Sequence, residues 1–220
     1  MTNEFIFSHV DHTLLAATAT NADIEKLCKE AVEYKTASVC IPPSYIKYTR
    51  ALFPKLNICT VIGFPLGYDI SSVKILATEK AIEDTADEID MVINITDVKN
   101  KEYDAIKKEI ISLKEITKEK ILKVIIETCY LTDDEKIKLC EAVTKAGADY
   151  IKTSTGFGSA GATLADVELF KKHIGANVKI KAAGGIRTRD DMVAFLQAGA
   201  DRLGTSSAVK ILSGEAAETY

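Results

Sequence analysis

Short apolar runs alternate with longer stretches whose apolar positions return at helical spacing, from one end of the chain to the other. The runs read as strands at Phe7–His12, Ala37–Ile41, Ile58–Gly63, Glu88–Asn94, Leu122–Thr128, Asp149–Thr153, Val178–Ala183 and Arg202–Thr205. Between them, Asn21–Lys35, Asp69–Ala86 and Glu102–Lys118 carry helical periodicity. Three more helix starts are marked by a threonine with an acid three residues on: Thr132 with Glu135, Thr163 with Asp166, and Thr188 with Asp191. The hydroxyl caps a free amide of the first turn, and the acid suits the positive end of the helix. Ala146-Gly-Ala-Asp149 and Ala198-Gly-Ala-Asp201 echo one another, each with a glycine that stops a helix just before a strand.

Eight strand–helix units in 220 residues predict an α/β protein built as a closed (β/α)8 TIM barrel. No Pro- or Gly-rich linker breaks the rhythm, so residues 1–220 read as a single barrel domain. An open doubly wound sheet is the alternative. It lacks support because no Gly-x-Gly-x-x-Gly turn follows the first strand.

Alternation along the strands separates two faces. Ile89, Met91 and Ile93 oppose Asp90; Leu122, Val124 and Ile126 oppose Lys123; Ile151 opposes Lys152; Ile180 and Ala182 oppose Lys181. With the apolar sets against the helices, Asp90, Lys123, Lys152 and Lys181 point into the barrel. A buried unpaired charge costs several kcal/mol. One such lysine is readily a structural ion pair. An acid and three lysines from four strands, all in one register class, predict a reactive site instead.

Barrel chemistry takes place at the C-terminal ends of the strands, and the loops after the last two strands often hold phosphate. Here those loops read Ala183-Gly184-Gly185-Ile186 and Gly204-Thr205-Ser206-Ser207. The glycines let backbone amides approach an anion, and the serine pair is placed to open a short helix.

Composition narrows the function without choosing it. Apolar residues make up 47 % and charged residues 27 %, as in ordinary globular proteins. A net charge of −4 with no basic block argues against nucleic acid. No apolar run of about 18 residues is present to span a membrane, and the first residues carry no secretory pattern. Five cysteines without paired metal spacing suggest reduced thiols and a cytoplasmic location. His9 and His12 fall on opposite faces of their strand and His173 lies in a helix, so no metal centre is expected.

A lysine amine, with an ordinary pKa of about 10.4, is almost wholly protonated at neutral pH. Burial and a neighbouring cation both favour its neutral, nucleophilic form. Lys152 and Lys181 can therefore divide the work, one as amine and one as cation, with Asp90 balancing charge and carrying protons. Geometry read from sequence does not choose between the two.

The segments Asp149-Tyr-Ile-Lys-Thr-Ser-Thr-Gly-Phe157 and Lys181-Ala-Ala-Gly-Gly-Ile-Arg187 resemble signature stretches of the 2-deoxyribose-5-phosphate aldolases. So do Asp11-His-Thr13, Val39-Cys-Ile-Pro-Pro43, Gly63-Phe-Pro65, Glu88–Asn94, Lys123–Thr128 and Gly204–Ser207, in the family's order along nearly the whole chain. The resemblance implies a barrel lyase of class I that reversibly splits 2-deoxy-D-ribose 5-phosphate into acetaldehyde and D-glyceraldehyde 3-phosphate, without a cofactor or metal. It implies Lys152 as the Schiff-base lysine, and Asp90 with Lys181 as the proton relay. Thr155, Gly156, Gly184, Gly185, Ser206 and Ser207 match substrate- and phosphate-binding positions, and Asp11, Thr13 and Cys40 match pocket residues. A homodimer is expected. Two positions stand apart: Phe157 replaces a lysine that helps bind phosphate in some relatives, and the final residue, Tyr220, matches a C-terminal tyrosine that assists proton transfer in others. The rival readings are another Schiff-base barrel aldolase of transaldolase type, and a silent sugar-phosphate-binding barrel.

Overall fold

The computed structural model describes residues 1–213. Among them, eight strands close a parallel barrel in sequence order: β1 (Val10–Thr13), β2 (Ser38–Ile41), β3 (Ile58–Ile62), β4 (Glu88–Val92), β5 (Ile121–Ile125), β6 (Tyr150–Lys152), β7 (Lys179–Ala183) and β8 (Arg202–Thr205). Pairing of Val10 with Leu203 and of Asp11 with Gly204 joins β8 back to β1. Around the barrel lie α1 (Asn3–Phe7), α2 (Asn21–Tyr34), α3 (Ile46–Leu52), α4 (Ser71–Glu83), α5 (Ile95–Lys99), α6 (Tyr103–Thr117), α7 (Asp133–Ala146), α8 (Leu164–His173), α9 (Arg189–Ala198) and α10 (Ala208–Ser213). The closed barrel replaces the open-sheet alternative.

The outward strand residues do what their alternation predicts. Ile89, Met91, Leu122, Val124, Ile151 and Ile180 are buried in one apolar cluster with Ile106, Ile110 and Leu113 of α6 and Leu139 and Val143 of α7. The threonines anticipated as caps all accept a bond from the amide three residues on, at Glu135, Asp166 and Asp191. Gly147 and Gly199 end α7 and α9 in the left-handed conformation, which explains the repeated Ala-Gly-Ala-Asp.

Departures from expectation sit at the ends of elements. The first strand begins at Val10, because Asn3–Phe7 forms a helix capped by Thr2. Ile6 and Phe7 are buried all the same, with Phe7 stacked on Tyr34. A five-residue apolar run serves helix and strand equally, so periodicity could not separate them. The expected strands to Asn94 and Thr128 stop at Val92 and Ile125. There Asn94 turns to cap α5, and Glu127 takes a left-handed φ of 52°. Both overshoots fall at the C-terminal face, where the chain leaves the ladder to build loops.

Among the described residues, a buried ion pair also lies outside the barrel. Lys74 of α4 reaches Glu109 of α6 at 3.0 Å and the Val92 carbonyl at 2.9 Å, and Ser71 also bonds Glu109. The pair ties two helices to the end of β4. Lys74→Met should destabilise by about 3 kcal/mol, because Glu109 is then left buried and unpaired. The double variant Lys74→Met/Glu109→Leu should regain most of that loss. Urea unfolding of the three proteins at neutral pH checks both values.

Candidate active site

The register brings the inward charges together. Asp90 pairs with Lys123 across β4–β5, Lys152 with Lys181 across β6–β7, and Lys181 with Arg202 across β7–β8. Asp90 lies at the centre. Its Oδ1 accepts from Lys123 at 2.8 Å and from the Cys59 thiol at 3.1 Å. Its Oδ2 accepts from Lys152 at 2.8 Å and Lys181 at 2.6 Å. Lys181 also donates to Asp11 at 2.5 Å, and Asp11 takes a further bond from Arg202 at 2.5 Å and one from Ser38 at 2.7 Å. Glu88 joins Lys123 at 2.5 Å and Arg202 at 3.3 Å. The Arg202 guanidinium lies 5.6 Å from the Tyr150 ring centroid. A side chain on Gly204 would start 3.1 Å from the Lys181 Cε, so the glycine leaves the lysine its path.

Three carboxylates thus face four cations inside the barrel. Burial alone would raise the carboxyl groups, yet Lys123, Lys152 and Lys181 hold Asp90 well below the ordinary carboxylate range. Lys181, Lys123 and Arg202 do the same for Asp11. Burial opposes the charge on Lys181 too, but Asp11 and Asp90 push its pKa up. Lys123 is likewise raised against burial, chiefly by Asp90. Lys181 is therefore a committed cation bridging two carboxylates. Lys152 has a single carboxylate partner, Asp90.

Above this network lies a cavity of about 190 Å³ at the C-terminal ends of β1, β6, β7 and β8. Of the network's members, Lys152 alone lines it. A neighbouring cavity between α2 and α10 is larger, about 330 Å³, and shares Thr13, Ala16, Ser206 and Ser207. It contains none of the network's charged groups, so chemistry rather than size selects the smaller one.

Thr13, Thr155, Gly156, Gly184, Gly185, Ser206 and Ser207 line the cavity with Lys152. Gly184 and Gly185 turn with φ of 77° and 74°, and α10 starts just after Ser207. The backbone N–H groups of Gly156, Gly185 and Ser206 meet no acceptor among the described residues. Three free amides around the cavity form an anion cradle. Arg187, not singled out from the sequence, also lines it and adds a positive charge. The remaining expected residues are placed elsewhere. Asp11, Asp90 and Lys181 are fully buried in the network, and Cys40 packs beside Cys59 and Val61, off the cavity wall. Tyr220 lies outside the described residues.

Glu88 and Arg202 were missed. The signal was present, since Glu88 shares the parity of Asp90 and Arg202 pairs with Lys181. Thiol and carboxylate atoms gather at Cys40–Cys59–Asp90 and at Asp11–Cys59–Glu88, as a metal would need. The Lys123 ammonium already bridges these groups, touching Asp90, Glu88 and the Cys59 sulfur.

A (β/α)8 barrel in which one lysine reaches from a buried charge network into a cavity lined by backbone amides defines an aldolase-type barrel enzyme, equipped to treat a carbonyl with an amine. Comparison with known proteins names the family. The model of the DeoC/LacD family aldolases matches residues 5–214, and the chain belongs to that family. The deoxyribose-phosphate aldolase of Clostridium botulinum (strain Eklund 17B / Type B) is 62 % identical over 221 residues, covering 100 % of each chain. That of Clostridioides difficile (strain 630) is 58 % identical, covering 98 % of this chain and 99 % of the other. Among solved structures, the tetrameric deoxyribose phosphate aldolase from Aeropyrum pernix superposes with a TM-score of 0.90 at 33 % identity, covering 97 % and 92 %.

Asp11→Asn tests the network. It leaves Lys181 and Arg202 short of a carboxylate and should cost about 3 kcal/mol at pH 7. The folded-state pKa of Asp11 lies below its unfolded value of about 3.9, so its contribution is complete above that value and fades as pH falls through the folded one. Urea unfolding should therefore show a constant gap between variant and parent down to about pH 4, and a shrinking gap below it.

Proposed function

We propose that this chain is a class I aldolase that reversibly cleaves 2-deoxy-D-ribose 5-phosphate to acetaldehyde and D-glyceraldehyde 3-phosphate. The observation that carries the reading is the placement of Lys152, the one amine shared by the charge network and the cavity. High identity over the full length of deoxyribose-phosphate aldolases supports the substrate. The amide cradle suits its phosphate.

The neutral Lys152 amine attacks the C1 aldehyde of the open sugar, and loss of water leaves an iminium. The iminium draws electrons from the C2–C3 bond once a base takes the C3 hydroxyl proton. Glyceraldehyde 3-phosphate departs, the enamine is protonated at its terminal carbon, and hydrolysis releases acetaldehyde. Asp90 is ionised and touches both lysines through Oδ2, so that oxygen is the natural station for protons passing to and from the Lys152 nitrogen. Lys181 stays charged and keeps Asp90 ionised from behind, so that Asp90 can pass protons without losing its own charge balance.

The active chain is a cytoplasmic protein of one catalytic barrel domain, residues 1–220. Its five cysteines are all unpaired, in keeping with a reducing compartment, and among the described residues no helix is long and apolar enough to cross a membrane. It pairs as a homodimer through α4 and the loop before it. Leu66, Tyr68, Ile70, Val73 and Leu76 there are between 48 % and 69 % exposed. Such an apolar stripe favours a partner, and a two-fold pairing covers it with its own copy. Leu76→Glu should shift the chain toward monomer in sedimentation at micromolar concentration.

Borohydride with acetaldehyde should reduce a single adduct, on the tryptic peptide that contains Lys152. Lys152→Arg should abolish trapping at every pH, because a guanidinium remains protonated. Lys181→Leu should still trap while losing turnover by about a hundredfold or more. Label on the Lys181 peptide would reverse the assignment.

A further inference from the structure

We propose that Glu127 is a positioning residue that shapes the phosphate end of the cavity, by clamping Thr155 so that the Gly156 amide stays turned toward the ligand. The inference rests on the reading of the cavity as a sugar-phosphate site. Glu127 stands just beyond β5, and its carboxylate is spent almost wholly on one residue. Both oxygens lie 3.2 Å from the Thr155 amide, and Oε2 accepts the Thr155 hydroxyl at 2.5 Å. The Thr155 oxygen in turn accepts the Phe157 amide at 3.0 Å. These bonds consume the amides on either side of Gly156 and leave its own N–H without an acceptor among the described residues.

The surroundings show a part built for this contact. Glu127 is a non-glycine residue in the left-handed region, with φ of 52°, and its side chain is only 3 % exposed. Such a conformation costs free energy at a bulky residue and persists where the surroundings hold it. The chain on either side is pinned to β6 and its exit: the Ile126 amide donates to the Lys152 carbonyl, and the Thr128 amide to that of Thr153. Across the turn, a side chain on Gly158 would start 3.1 Å from Oε1 and 2.9 Å from the Cys129 sulfur. Gly156 also lies against Gly184, since a side chain there would start 3.4 Å from the Gly156 Cα. The Thr155–Phe157 turn is thus one wall of the amide cradle, and Glu127 is its brace.

A carboxylate buried near an anion site is an electrostatic liability, so its presence calls for a geometric return. Burial pushes the Glu127 carboxyl up, while the Thr155 bonds and the charge of Lys152 pull it back. Glutamine at this position keeps the volume but offers an NH2 where the turn needs a second acceptor. The loss should therefore appear where the phosphate binds.

The test compares deoxyribose 5-phosphate with unphosphorylated deoxyribose, and uses inorganic phosphate as a competitive probe. Glu127→Gln should raise KM for the phosphorylated sugar and the inhibition constant of phosphate by about tenfold each. Its kcat should stay within about threefold, and the preference for the phosphorylated sugar should fall by about tenfold. Thr155→Val should act in the same direction even if Glu127→Gln folds poorly, and Thr155→Ser, which keeps the hydroxyl, should restore parental values. Combining Glu127→Gln with Thr155→Val should add little to either alone. Equal losses for both sugars, an unchanged phosphate constant, or full additivity would overturn the clamp. A parent protein that fails to cleave deoxyribose 5-phosphate would instead overturn the functional reading, so the two failures are told apart.

Discussion

A carboxylate in the middle of a barrel has no water to stabilise it, and Asp90 is held there by three ammonium groups arriving from three other strands. That requirement organises the interior. Lys123 and Lys181 each need a second carboxylate to offset their own burial, which Glu88 and Asp11 supply, and Arg202 ties those two acids together. The strands that carry these groups must keep their register to within one residue. A slip would turn a charge toward the helices and an isoleucine toward the charges.

The same arrangement separates two lysines that are chemically alike. Lys181 is enclosed and bonded to two carboxylates, so its proton is doubly secured. Lys152 sits where β6 ends, with one carboxylate below it and open space above. The one amine of the network that can meet a substrate is thus the one with a single carboxylate partner. The reactive group and its electrostatic support are parts of a single array, in which stability and chemistry draw on the same ion pairs. Around the opening, the loops contribute mostly backbone: free amides, one of them in a turn braced by Glu127.

Much of this could be read along the chain, for local reasons. Caps at Thr132, Thr163 and Thr188 depend on residues three apart, and the inward parity of Asp90, Lys123, Lys152 and Lys181 depends only on alternation. Phe7 was misplaced because a short apolar run satisfies either helix or strand. Glu88 and Arg202 were passed over because each stands at the first position of its strand, where a charge is ordinarily solvated. Cys40 matched a pocket position by resemblance, yet its side chain packs against Cys59 beneath the surface.

The order of apolar and polar residues was enough to specify eight strand–helix units, the face each strand turns inward, and the set of charges that must share the interior. Those properties follow from the two-residue period of a strand and the helical repeat, which no distant contact alters. Which charge pairs with which, and which lysine reaches the cavity, was decided only by closure of the barrel. Closure sets β1 beside β8 and brings Asp11 to Lys181 across 170 positions of sequence. Distances between such residues depend on strand stagger and on where each strand ends, and neither is encoded by any local pattern.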